Sequence, residues 1–254
     1  MIDAHAHLDD RKLIREVDDV VARASAAGID RILSCGQDLA SSEETLAIAR
    51  RHGAVRVAVG VHPHRAESWS LAVAAGLRRL AKDGRVVAIG EIGVDLSGRS
   101  APREAQKETF AAQLALALEL ELPVVVHVRD AGALAREIID HAGPVRGMIH
   151  CFSEGPDEAR EYLRRGLLIS FAGPVTYPKN DTLRRAAAVV RAESLLVETD
   201  APYLAPQGQR GQRNEPAYVV ETLAAVAATR SEDPERLGAT IADNARRLFG
   251  ARWG

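Results

Sequence analysis

One alternation runs through the whole sequence and limits the folds open to it. A short apolar segment of strand type is followed by a segment rich in Ala, Leu, Arg and Glu, and the pair occurs eight times. Near-continuous apolar runs are typical of parallel strands buried on both faces, and strands alternating with helical segments indicate β-α-β units. We therefore expect an α/β protein in which eight parallel strands close into a (β/α)8 TIM barrel. The predicted strands cover residues 2–8, 31–36, 55–61, 86–93, 123–129, 147–152, 167–173 and 194–200.

The segments between these strands favour helices. We predict helices over 11–27, 104–121 and 181–192, and the second of these consists of strong helix formers just after Pro102. The length of 254 residues matches the roughly 250 residues of one barrel. No low-complexity linker divides the chain, so we predict a single domain over residues 1–254.

Charge and composition exclude some means of binding. The net charge is −2 and the isoelectric point about 6.5, whereas a domain that holds duplex DNA on a broad basic face usually has a value above about 9. Any phosphate must therefore be bound locally. Cys35 and Cys151 suggest buried thiols rather than a disulfide framework. We find no leader-like or membrane-spanning apolar run, and predict a cytoplasmic protein with no membrane partner and no obligate protein partner.

Histidine, aspartate and glutamate recur at the carboxyl ends of the predicted strands, which is where barrel active sites lie. In the first strand, His5 and His7 stand two residues apart, so both imidazoles point to one face. A single strand histidine is as readily a hydrogen-bonded core residue as a ligand, but two at this spacing favour a pair of metal ligands. Four further candidates come from other strand ends: Glu91, His127, His150 and Asp200.

Six such groups exceed the three protein ligands of a usual single catalytic zinc site. Two divalent ions about 3.5–4 Å apart can hold both the attacking and the leaving oxygen of a displacement. We therefore predict two metals, with Glu91 as the bridging carboxylate and Asp200 as both ligand and general base. Mixed nitrogen and carboxylate ligands suit zinc, manganese or magnesium.

Three further residues are candidates for substrate contact. His62 precedes a proline at a strand end, and Arg129 follows His127 by two residues and shares its face. Arg213 lies in the Gly- and Gln-rich loop 201–216, where its guanidinium could clamp a phosphate. The alternatives are loop structure for His62, a salt bridge to an acidic ligand for Arg129, and a solvated loop for Arg213.

Seven motifs, taken together and in this order, resemble the TatD family of metal-dependent deoxyribonucleases in the amidohydrolase superfamily. They are DAHAHLD (3–9), GVHPH (60–64), GEIGVD (90–95), HVRD (127–130), HCFS (150–153), ETDAPYLAP (198–206) and RGQRNEP (210–216). The resemblance implies a β/α barrel with the same six metal ligands. It also implies hydrolysis of phosphodiester bonds in DNA with a metal-activated water, from an end of the strand.

The residues alone leave the substrate open. A hydrolase acting on another ester, an amide or a small phosphoester could use the same two-metal site, and only the resemblance favours DNA. A non-catalytic scaffold is a third reading, and the presence of all six candidate ligands argues against it.

Overall fold

The sheet has the predicted architecture. A computed structural model describes residues 1–98 and 101–254. Eight parallel strands follow one another around the sheet in chain order. They are β1 (Ile2–Ala6), β2 (Arg31–Cys35), β3 (Val55–Val59), β4 (Val86–Asp95), β5 (Val124–Arg129), β6 (Gly147–Ile149), β7 (Leu168–Phe171) and β8 (Leu195–Val197). The TIM barrel predicted from the alternation is confirmed.

The two ends of the sheet meet just beyond β8. The amide of Asp200 donates to the carbonyl of His5 at 2.9 Å, and the amide of His7 donates to the carbonyl of Ala201 at 2.7 Å. These bonds close the barrel at its carboxyl end. They also place the segment after β8 directly beside the two histidines of β1.

Helices surround the barrel. They are α1 (Val17–Ala26), α2 (Leu39–Arg51), α3 (Leu71–Leu80), α4 (Arg103–Glu119), α5 (Gly132–Ala142), α6 (Pro156–Arg164), α7 (Asp181–Val189), α8 (Val219–Arg230) and α9 (Pro234–Phe249). In the ranges that the structure describes, none of them is both long and apolar enough to cross a bilayer.

The helix predicted over 11–27 begins later, at Val17, after a short 3-10 turn over Ile14–Glu16. The reason is local. The Asp10 carboxylate accepts a hydrogen bond from the amide of Lys12 at 2.8 Å, and such a bond stabilises a turn in competition with a helix.

Several strands are shorter than predicted, and the difference bears on function. β1, β6 and β8 end at Ala6, Ile149 and Val197, although the apolar runs suggested two or three more residues. Beyond these points the chain leaves the strand ladder and carries polar side chains into the mouth of the barrel.

Gly93 permits a close approach of two strands at the level of these polar groups. It lies in β4 opposite His127 of β5, with a φ of 143°. A Cβ atom there would lie 2.0 Å from the His127 carbonyl oxygen. Only glycine fits such a contact and such a φ, so the sequence GEIG sets the neighbouring glutamate, Glu91, close to His127.

Candidate metal centre

The six predicted ligands come together at the carboxyl end of the barrel. His5, His7, Glu91 and His150 are buried, and His127 and Asp200 are partly exposed. A cavity of about 250 Å³ opens above them, with Glu91, His127, His150 and Asp200 in its wall. Elements spread over almost 200 residues of sequence therefore converge on one small volume.

The first half of this centre is built on β1. The Nε2 atoms of His5 and His7 lie 3.1 Å apart. Glu91 Oε2 lies 3.5 and 3.4 Å from these two atoms, and Asp200 Oδ1 lies 3.6 and 3.5 Å from them. Tetrahedral ligands at about 2.0–2.1 Å from one zinc ion would stand roughly 3.3 Å from each other. The four atoms therefore have the spacing of ligands to one ion.

The second half is built on β5 and the end of β6. His127 Nδ1 and His150 Nε2 lie 3.1 Å apart. Glu91 Oε1 lies 2.8 Å from the first and 2.7 Å from the second. Glu91 thus directs one carboxylate oxygen to each pair of imidazoles, which is the position required of a bridging ligand.

The outer nitrogens of three imidazoles are each held by an oxygen acceptor. His7 Nδ1 lies 3.0 Å from the Cys35 carbonyl, His150 Nδ1 lies 3.1 Å from Glu198 Oε1, and His127 Nε2 lies 3.2 Å from Asp95 Oδ2. Each oxygen accepts a hydrogen bond from the ring N–H that faces it, so the imidazole proton is on the outer nitrogen. The inner nitrogen then presents a lone pair, as metal-binding histidines do.

This chemistry fits a cation between the inner atoms. His127 Nδ1, His150 Nε2 and Glu91 Oε1 lie 2.7–3.1 Å from one another. At such distances either a shared proton or a cation must separate the lone pairs of these three atoms. Within the described part of the chain, the buried Oε2 of Glu91 has no hydrogen-bond partner at all. A buried, unpaired carboxylate oxygen is costly, and a divalent ion on each side of Glu91 would satisfy it.

The electrostatics of the cluster favour positive charge at the same place. Burial alone would raise the pKa of Glu91, but the charge of the His150 imidazole and hydrogen bonds from His127 and His150 hold that pKa well below its usual range. Burial alone would lower the pKa of His150, yet the carboxylates of Glu91 and Glu198 hold it well above the usual value. A site that draws a proton onto a fully buried imidazole also attracts a metal ion.

Asp200 reaches the centre through an unusual backbone conformation. Its φ is 58°, a left-handed value that aspartate adopts more readily than most residues. Strained positions of this kind cluster at functional sites. Because its amide is bonded to His5, this turn holds the carboxylate beside the first pair of histidines.

Of the three residues predicted to contact the substrate, His62 and Arg129 line the cavity and Arg213 does not. His62 Nε2 is 3.3 Å from Glu91 Oε1, and burial lowers the pKa of His62 to about 4, so this ring is neutral. Arg129 is half-buried and lines the cavity. Arg213 is outside the cavity lining, and its guanidinium donates to Glu215, Glu16 and the carbonyl of Lys12. A substrate contact for Arg213 therefore stays a prediction without support from its placement.

Sequence reasoning assigned no role to three residues that support the ligands. Glu198 and Asp95 hold His150 and His127, and Cys35 contacts His5 through its thiol, with 3.3 Å between Sγ and Nδ1. Cys35 and Cys151 are buried and free, as predicted. Glu198 and Asp95 stand next to strand ends, which was the available signal, but a strand position alone does not say which imidazole a carboxylate will reach.

The fold and the centre together define a class: metal-dependent hydrolases that work at the carboxyl end of a β/α barrel. The family model described as TatD related DNase matches residues 2–250. The chain therefore belongs to the TatD family.

Curated relatives span nearly the whole chain. The 3'-5' ssDNA/RNA exonuclease TatD of Cronobacter sakazakii is 40% identical over 256 residues, which cover 98% of this chain and 97% of the relative. A protein of Bacillus subtilis described as an uncharacterized metal-dependent hydrolase, YabD, is 33% identical over 98% of both chains. Among solved structures, the TatD homologue YJJV from Escherichia coli superimposes with a TM-score of 0.92 at 28% identity, covering 98% of this chain and 97% of its own.

Removing the β1 histidines should remove metal without unfolding the barrel. We expect a His5→Ala, His7→Ala double variant to lose metal and activity, because these side chains lie at the mouth, above the packed interior of the barrel. Elemental analysis together with circular dichroism would measure both properties. His141→Ala is the matched control, since His141 is exposed on α5. Full metal occupancy in the double variant would contradict the ligand assignment.

Glu198 should tune metal affinity through His150. We expect Glu198→Gln to weaken metal binding about 10- to 100-fold, the usual effect of losing a carboxylate behind a ligating histidine. Competition with a chelator would measure the affinity. Unchanged affinity in a folded variant would show that Glu198 does not orient the ring.

Proposed function

We propose that this protein is a two-metal nuclease that hydrolyses phosphodiester bonds of single-stranded DNA from an end of the strand. One observation carries the proposal: the carboxylate of Glu91 directs one oxygen to His5 and His7 and the other to His127 and His150. This arrangement suits two ions close together, and not one ion with surplus ligands.

The six candidate ligands divide into two sets, one for each ion. His5, His7 and Asp200 would hold one ion, His127 and His150 the other, and Glu91 both. Bound there, two divalent ions would lower the pKa of water and neutralise charge on the phosphate. Four nitrogen ligands favour zinc or manganese over magnesium, which prefers oxygen.

Asp200 has the position of a general base. Its carboxylate lies beside His5, where the first ion would be held, and it lines the cavity, with a side chain 13% exposed. It can therefore reach both a ligand position and an incoming water. His62 is neutral, and its Nδ1 accepts a hydrogen bond from the amide of His64, so its single N–H is on Nε2 and faces Glu91. The ring also lines the cavity, where its edge can contact the substrate.

Nucleic acid as the substrate is supported by the relatives and by the shape of the mouth. The Cronobacter sakazakii relative is named an exonuclease of single-stranded DNA and RNA. The cavity of about 250 Å³ is slightly smaller than the roughly 300–1,000 Å³ of most ligand sites, which suits one phosphodiester of a flexible chain end better than the side of a duplex. A cytoplasmic location stays a prediction of the sequence.

Asp200→Asn should keep the shape of the site and remove the proton acceptor. We expect turnover of a single-stranded oligonucleotide to fall at least about a hundredfold, in line with typical acid–base contributions. Metal content must be measured on the same sample because Asp200 is also a proposed ligand. Near-normal turnover with both metals in place would mean that the base lies elsewhere.

The substrate class needs a separate test. The metal-loaded protein would be assayed on single-stranded DNA, duplex DNA, RNA, mononucleotides and simple carboxylic esters. The proposal expects the highest kcat/KM on single strands. Higher activity on carboxylic esters or on amides would instead support a hydrolase of another class on the same centre.

A further inference from the structure

A second cavity adjoins the one above the metal centre. Its volume is about 310 Å³, and it shares Arg129 and Cys151 with the first cavity as wall residues. It is bounded by the end of β5, by the segments that follow β6, β7 and β8, and by the start of α7. A chain bound with one phosphate over the metals could therefore continue directly into this second space.

The second cavity differs from three other cavities of the molecule in the charge of its lining, which is positive. Among the described residues that line it, two are cations, Arg129 and Lys179, and none is a carboxylate. Three other surface cavities each include at least one glutamate. In a chain of net charge −2, this lining is a local concentration of positive charge.

Arg129 lacks the partner that a half-buried guanidinium usually has. Within residues 1–98 and 101–254, no carboxylate lies within ion-pair distance of it, so the salt bridge considered from the sequence is not formed. Partial burial of a charge without a partner is unfavourable. A guanidinium so placed is well suited to a phosphate, which it can bind through two parallel hydrogen bonds.

Lys179 is presented by a segment that the protein holds firmly. Arg184 of α7 donates to the carbonyl oxygens of Tyr177 and Pro178, at 2.6 and 2.8 Å. Asn180 donates to the carbonyl of Pro174 at 2.9 Å. These hydrogen bonds hold the backbone on both sides of Lys179, whose exposed side chain is part of the cavity wall.

Apolar surface completes the site. Phe152 and Leu183 are buried beneath the cavity, and Pro174 and Leu204 are half-buried in its wall. Cations at the rim and apolar side chains in the wall match the chemistry of a nucleotide, with an anionic phosphate and a flat, largely apolar sugar-base face.

We propose that the second cavity binds the nucleotide next to the scissile phosphodiester, with its phosphate between Arg129 and Lys179. This inference rests on the proposed nuclease function and specifies how the substrate is held. A flexible single strand can place one phosphate over the metals and turn the next into the adjoining cavity. The second cavity thus contributes to the choice of single strands.

The test compares an oligonucleotide with a minimal diester that has no neighbouring nucleotide or second phosphate. Lys179→Ala would be assayed on bis(p-nitrophenyl) phosphate, a minimal diester, and on a thymidine decamer. We expect KM for the decamer to rise about five- to tenfold, the effect of losing one charge-assisted contact of about 1–1.4 kcal/mol, and the rise to be clearly larger than for the minimal diester. Lys179→Arg should restore the decamer KM, because it keeps the charge.

A matched control and a second readout complete the experiment. Lys82 is exposed in the turn before β4, at the opposite end of the barrel, and Lys82→Ala should leave both substrates unaffected. For binding of the decamer to metal-loaded Asp200→Asn protein, adding Lys179→Ala should reduce the slope of log affinity against log salt by about 0.7. Arg129→Ala should reduce it similarly.

The outcomes separate the two proposals. Equal KM changes on both substrates, or an unchanged salt slope, would overturn the second-cavity proposal even if the protein is a nuclease. If the wild-type protein cleaves neither substrate while the oligonucleotide still binds with a slope that depends on Lys179, the nuclease proposal fails and the anion site stands.

Discussion

The centre depends on one unfavourable interaction: buried electron pairs that face one another. Inner imidazole nitrogens and the carboxylate of Glu91 are brought within 2.7–3.5 Å of each other, and among the described residues Oε2 of Glu91 finds no hydrogen-bond donor. Burying such groups without a partner would cost several kcal/mol. The proposed divalent ions convert this cost into binding energy, so the barrel mouth is organised around them.

The barrel can hold these groups close together because its strands are rigid and their carboxyl ends meet. Each ligand leaves a different strand end, and the outer side of three imidazoles is fixed by an oxygen from elsewhere in the fold. The rings are thus oriented in advance, which reduces the entropy lost on binding a metal or a substrate. The same layout leaves space above the metals, and this space continues past Arg129 into the second cavity.

The sequence predicted the barrel and the convergence of the six ligand candidates, because both follow from short-range periodicity. Strand alternation fixes the face of His5 and His7, and parallel strands bring their ends together. The sequence did not predict which groups stand behind the ligands, and it left open whether Arg129 and Arg213 contact the substrate or other groups of the protein. Arg129 and Arg213 have long side chains with many rotamers, and their placement depends on tertiary neighbours: Arg213 bonds to Glu215 and Glu16, and Arg129 remains unpaired within the described residues. The first residue of α1 was also not predicted, because it depends on a single turn in which the Asp10 carboxylate accepts a hydrogen bond from Lys12.

The central claim is that Glu91 lies between two ions. Anomalous diffraction from crystals grown with manganese or zinc tests it directly, because each metal gives its own peak. We expect two peaks about 3.5–4 Å apart, one beside His5 and His7 and one beside His127 and His150, with one Glu91 oxygen at each. A single peak, or a second ion that does not touch Glu91, would contradict it.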